Sequence, residues 1–134
     1  MHELITEAKT ENLDEVLDFI DQHLEEWGCK MKTITQINIA AEEIFVNIAH
    51  YAYGTDSGIA RILIGRSGND AEITFIDSGV RYDPLAKDDP DVTLSAEERD
   101  IGGLGIYIVK KSMDSVSYEY QDNHNVLKIS KAIG

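Results

Sequence analysis

The chain has 134 residues, 43% of them hydrophobic, with two prolines and one cysteine, enough to bury roughly two thirds of its unfolded surface in one core. Its 25 acidic and 12 basic residues give a formal net charge of −13, which repels nucleic acid and anionic lipid at long range. No stretch approaches the ~18 consecutive apolar residues of a membrane span.

The opening "MHELITEAKT" lacks the basic, apolar and small-residue succession of a secretion signal, and Cys29 has no disulfide partner. The expectation is one domain over residues 1–134, cytoplasmic, with no nucleic acid and no membrane as partner. Residues 3–9 read as a short, weak strand. From Asn12, residues Leu13, Val16, Leu17, Ile20, Leu24 and Trp27 recur at helical spacing, Asn12 and Glu15 resemble a capping box, and Gly28 is a natural stop. A second helix is expected from about Thr33 to Tyr53, ending at Gly54, with Ile37, Ala41, Ile44 and Ile48 on one face. "GIARILIG" and "DAEITFID" flank "RSGND" and predict a hairpin. Residues 81–100 are acidic and irregular and hold both prolines, so a lid or binding loop is expected at about 82–101. After "GGLG" a helix runs to about Met113, then "SVSYEYQ" and "NVLKISKA" form strands that turn at Asp122 and Asn123. The order predicts an α+β fold, a two-layer α/β sandwich with about three helices on one face of a mostly antiparallel mixed sheet.

Three places carry candidate chemistry. On the second helix, Gln36, Glu43, Asn47 and His50 fall within one narrow polar stripe, while Thr35, Asn38 and Glu42 form another, and periodicity alone does not say which faces water. Glu43 taken singly reads as a solvated carboxylate. Asn47, a poor choice for a helix interior, offers an amide oxygen suited to Mg²⁺ or to a hydrogen-bonded core site. His50 has no second histidine or cysteine at metal spacing, which excludes a zinc site. Asp77 and Gly79 in "FIDSGVRYD" stand at a strand exit, either as an ordinary turn or with the carboxylate aimed into a pocket to accept from an amine such as that of adenine. In "GGLG", Gly102 and Gly103 either form a hinge or let successive N–H groups converge on phosphate at a helix start. With a net charge of −13, phosphate needs such local compensation, and Arg99, Lys110 and Lys111 are the bases nearest in sequence.

The order "EIFVNIAHYAY", "DSG", "GGLGI" resembles the Bergerat-fold ATPases, the superfamily of gyrase, histidine kinase catalytic domains and the anti-sigma-factor serine kinases. The likeness spans about residues 10–131 and is nearest to the stand-alone anti-sigma-factor kinases. The resemblance implies that Asn47 holds Mg²⁺ against the ATP phosphates, Glu43 is general base on the incoming hydroxyl, and Asp77 reads the adenine amine with Gly79 near the base. It also implies that Gly102, Gly103, Leu104 and Gly105 form the phosphate turn. Two departures stand out. Arg81 replaces the second glycine of Asp-x-Gly-x-Gly, and "HYAY" replaces the usual "HAY", with Tyr51 where the histidine aligns. The function so implied is that of an ATP-dependent protein serine/threonine kinase acting on a small antagonist protein, with a sigma factor held in exchange, as a homodimer. The alternative is an ATP-dependent binding switch that sequesters a partner without phosphoryl transfer. A separate-chain histidine kinase fits poorly without a long dimerising helix, and DNA-topology or repair ATPases need further domains.

Overall fold

A computed structural model describes residues 1–54, 56–86 and 103–134. Most of the expected loop, with Arg99 and Gly102, lies outside them. The elements are β1 (His2–Glu7), α1 (Leu13–Glu26), α2 (Met31–Asn47), β2 (Ile59–Ser67), β3 (Asp70–Asp77), α3 (Gly103–Ser112), β4 (Ser115–Gln121) and β5 (His124–Ala132). The five strands form one sheet in the order β1-β2-β3-β5-β4, and all four pairings are antiparallel, so the sheet is antiparallel rather than mixed among the described residues. No described helix is long and apolar enough to cross a membrane.

Alternation decides which way each strand faces. On β3, Ala71, Ile73 and Phe75 are buried and the residues between them are partly exposed, so the same phase turns Asp77 inward. On β5, Leu127 and Ile129 are buried in the phase that also buries Asn125. The β3–β5 register sets Asp77 directly opposite Asn125. The helices cover that face with Val16, Ile20 and Leu24 of α1, Ile37, Ala41, Ile44 and Phe45 of α2, and Ile106 and Val109 of α3. Each large side chain so buried contributes roughly 1.5–3 kcal/mol before entropy is counted. The β4–β5 turn falls where expected, with Asp122 and Asn123 at φ of 52° and 65°, the pair of left-handed residues that a two-residue type I′ hairpin requires.

Helix ends differ in part from expectation. Gly28, at φ +74°, closes α1 in a Schellman motif: its N–H donates to Glu25 O and that of Cys29 to Leu24 O, both at 3.0 Å. At the other end no capping box forms. The Asn12 side chain makes no cap and its Nδ2 donates instead to Glu7 O at 3.0 Å, tying the helix start to β1. The second helix begins two residues earlier than expected, and after Asn47 it widens into a π-helical turn, Ile48–Ala52, before Gly54 at φ +60° ends it.

Where α1 meets α2, Asn38 Nδ2 donates to Asp21 Oδ2 at 3.2 Å, whereas Asp21 Oδ1 and Asn38 Oδ1 are buried with no donor among the described residues. Burial pushes the Asp21 carboxyl up, with Glu25 and Asp18 adding to the effect and the Asn38 bond opposing it. The folded chain therefore holds a proton here more tightly than the unfolded one, and this site's contribution to stability falls as pH rises through the raised value. Asp21→Asn supplies a donor where only acceptors meet. It should raise the melting temperature at pH 7 by on the order of 3 °C, with the gap from the parent closing as the solution is acidified. A gap that widens in acid would refute this account of Asp21.

Candidate functional site

The end of β3, the end of α2 and the start of α3 converge on a cavity of about 170 Å³ whose walls include Ile44, Ile48, Phe75, Ile106 and Leu127 and whose polar groups include Asn47, Asp77, Arg81, Tyr118 and Asn125. An apolar recess with a few convergent polar groups suits a flat, partly polar ring. Asp77 accepts from Asn125 Nδ2 at 2.9 Å and from Gly79 N–H at 3.0 Å, and both bonds fall on Oδ1. Oδ2 receives no hydrogen bond from the described residues and remains an acceptor for a donor entering the cavity.

Gly79 is required by the protein's own packing. A Cβ there would overlap the carbonyl and Cβ of Ala52, while the Val80 N–H donates to Ala52 O at 2.8 Å. The strand exit is thus pressed against the π turn of α2. Tyr53 clasps the same junction, its hydroxyl donating to Ile59 O at 2.6 Å and accepting from Ser78 N–H at 2.9 Å.

One turn apart on α2, Glu43 and Asn47 are half-buried and joined by a 3.2 Å bond from Asn47 Nδ2 to Glu43 Oε1. A carboxylate only accepts, so this bond orients the amide and turns Asn47 Oδ1 away from it. The two side chains open in different directions. Asn47 lines the cavity with Asp77, whereas Glu43 lines an adjoining depression with Ile39, Glu42, Val46, Gly105 and Ile108. Gly105 stands where any Cβ would overlap the Glu43 carboxylate, so what comes close to this glycine is a side chain 62 positions away. Gly103 is the first residue of α3 and Leu104 follows in its first turn.

The polar stripe drawn on an ideal helix does not survive intact. Gln36 lines neither depression. His50 is exposed, edge-on to Tyr51 at 5.9 Å, and lines a separate surface depression with Lys9, Glu11 and Asp56, while Tyr51 lines the central cavity. The cause is the π turn: its i→i+5 bonds put more residues in each turn than 3.6, so residues after Asn47 fall out of phase. In the second stripe Thr35 and Glu42 face water, whereas Asn38 faces α1.

Of the bases nearest in sequence to the glycine turn, Arg99 lies outside the described residues. Lys110 and Lys111 lie in the last turn of α3, roughly 10 Å along the helix axis from its glycine start, and Lys111 Nζ sits over the Tyr107 ring at 5.5 Å. The base that does line the cavity is Arg81, its guanidinium 4.9 Å from the Tyr120 ring centroid. Asn125 escaped the sequence reading altogether. It is 6% exposed, and its signal was a polar residue in the buried phase of an otherwise apolar strand. Burial pushes the neighbouring Tyr118 phenol up, which keeps it a donor, and its hydroxyl gives a 2.5 Å bond to Asn125 Oδ1.

Comparison with known proteins speaks to the fold and the family. A curated relative, the serine/threonine-protein kinase BtrW of Bordetella bronchiseptica, is 24% identical over 106 residues, 78% of this chain and 72% of that protein. Among solved structures, the RsbU and RsbW domains of Rv1364c from Mycobacterium tuberculosis superpose with a TM-score of 0.65 at 14% identity, over 99% of this chain and 33% of that one. This chain thus spans about one third of that structure. The catalytic domain of histidine kinase ThkA matches with a TM-score of 0.55 at 14% identity, over 99% of this chain and 98% of that chain. These likenesses establish a shared fold. The profile of the histidine kinase-like ATPase domain matches residues 6–131, and the chain belongs to that family.

Proposed function

We propose that this protein is an ATP-dependent protein serine/threonine kinase of the partner-switching type. The observation that carries the reading is the divergence of Asn47 and Glu43, which face two adjoining openings from successive turns of one helix. ATP enters through the cavity, where Asp77 Oδ2 accepts from the adenine amine. Asn47 Oδ1, an uncharged oxygen with no donor among the described residues, is the kind of hard ligand that Mg²⁺ takes alongside phosphate oxygens and waters. Bound Mg²⁺ would supply charge neutralisation across the phosphates. The start of α3, from Gly103 through Leu104 to Gly105, contributes backbone N–H groups and the positive end of the helix dipole, while Gly102, the remaining member of the expected phosphate turn, lies outside the described residues.

Glu43 serves as the base that receives the proton of an incoming serine or threonine hydroxyl. The other opening gives that hydroxyl a route of its own, and its rim carries Ile39 and Ile108, 49% and 43% exposed, as an apolar seat for a protein surface. Phosphoryl transfer depends mainly on positioning and electrostatics, so this small set of groups suffices. BtrW is itself named a serine/threonine-protein kinase, which supports the reaction class. The antagonist-type substrate, a sigma factor held in exchange, and the homodimer enter the proposal from the family resemblance.

Calorimetric titration tests the nucleotide half. Mg²⁺-ATP should bind Asn47→Ala at least about tenfold more weakly than the parent, roughly 1.4 kcal/mol, while ADP in excess chelator binds both alike. Equal loss with and without the metal would remove Asn47 from the ligand set.

A further inference from the structure

Asn125, which the sequence did not announce, is as deeply buried as Asp77. Asn125 makes all four hydrogen bonds its amide allows. Nδ2 donates to Asp77 Oδ1 and to Val80 O, each at 2.9 Å. Oδ1 accepts from Tyr118 OH at 2.5 Å and from the Tyr82 N–H at 3.1 Å. Rotating the amide by half a turn would set its oxygen against the Asp77 carboxylate and the Val80 carbonyl, and its NH₂ against the Tyr82 N–H. Three repulsive contacts in a buried site hold the observed orientation. The strand register that pairs Asp77 with Asn125 therefore holds Asp77 Oδ1 from across the sheet, while Gly79 N–H holds it from its own chain.

We propose that Asn125 is a positioning residue that keeps Asp77 Oδ2 aimed into the cavity as an acceptor and so selects 6-amino over 6-oxo purine nucleotides. The inference rests on the nucleotide reading above and adds the group that enforces base choice. A pinned carboxylate oxygen meets the hydrogens of an exocyclic amine. Against a 6-oxo group held in the same pose it faces another acceptor, and the ring N1–H of such a base comes within reach only if the base shifts from the seat that the cavity walls give it. Sites built around one such hydrogen bond discriminate strongly because the wrong ligand leaves buried polar atoms unpaired. Asn125 also holds Val80 O and the Tyr82 N–H, so the same side chain fixes the backbone on both sides of Arg81 at the cavity wall.

The test is calorimetry with ADP and with inosine diphosphate, both with Mg²⁺, on the parent, Asn125→Leu and Tyr118→Phe, each checked for folding by circular dichroism. The parent is expected to bind ADP at least about 100-fold more tightly than inosine diphosphate. In Asn125→Leu that ratio should fall at least about tenfold. Tyr118→Phe removes one of the bonds orienting Asn125, so its ratio should fall about threefold; this variant carries the test if the leucine variant does not fold. Should both dissociation constants rise by the same factor in the variants, leaving the ratio unchanged, Asn125 is merely structural and the proposal fails. A parent that binds both nucleotides equally overturns the proposal and leaves nucleotide binding standing. A parent that binds neither overturns the nucleotide reading and this inference with it.

Discussion

Asp77→Asn is expected to weaken ADP binding on the order of 100-fold while leaving the fold intact. The substitution keeps size and shape, and the new amide oxygen can still accept from Asn125 Nδ2 and the Gly79 N–H, which both now bond to Oδ1. That orientation is the only one that leaves those donors paired, and it forces the new NH₂ into the position of Oδ2. A donor then faces the adenine amine, another donor. A lost charge-assisted hydrogen bond together with an unpaired buried donor costs about 3 kcal/mol, hence the two orders of magnitude. Calorimetry measures the affinity and thermal melting checks the fold. Affinity within threefold of the parent would mean that Oδ2 does not meet the base, and the adenine assignment would go with it.

Glu43→Gln is expected to separate binding from chemistry. The glutamine oxygen can take the Asn47 Nδ2 bond that Glu43 Oε1 takes now, and the side chain is no larger where it lies against Gly105, so Mg²⁺-ATP affinity should change less than about threefold. What is lost is a proton acceptor facing the second opening. General-base removal costs typically 10²–10⁴ in rate, and a fall of about 10³ in phosphoryl transfer is the expected outcome. Turnover can be followed as slow ATP hydrolysis, with water in place of the acceptor hydroxyl, and then with a candidate antagonist protein. Transfer at the parent rate would remove Glu43 as the base. If the parent binds Mg²⁺-ATP and transfers nothing to either acceptor, the protein acts as a nucleotide-dependent binding switch.

Features governed by nearest neighbours in the chain were open to reading from the residues. The apolar spacing of α1, the alternation of β2 and β3, and the left-handed turns at Gly28, Gly54, Asp122 and Asn123 each depend on local geometry within a few residues. The elements in their order led to the α+β class. Asn47 and Asp77, picked out as a polar residue inside an apolar helix and a carboxylate at a strand exit, line one cavity.

Other features turned on partners far away in sequence. Asn125 mattered only once β5 paired with β3 across 48 positions. That a Cβ at Gly79 would overlap Ala52, and one at Gly105 the Glu43 carboxylate, depends on neighbours that no local pattern names. His50 shared a stripe with Glu43 on an ideal helix, and the π turn moved it to another surface. The lysines closest in sequence to the glycine turn lie at the far end of α3, and Arg81, far from it in sequence, lines the cavity. The sequence by itself determined the elements, their order and the chemical character of each candidate group, because dihedral preference and hydrophobic period are local. Only the tertiary structure decided which groups share an opening and which way each is aimed, because packing and strand register join residues that no spacing rule relates.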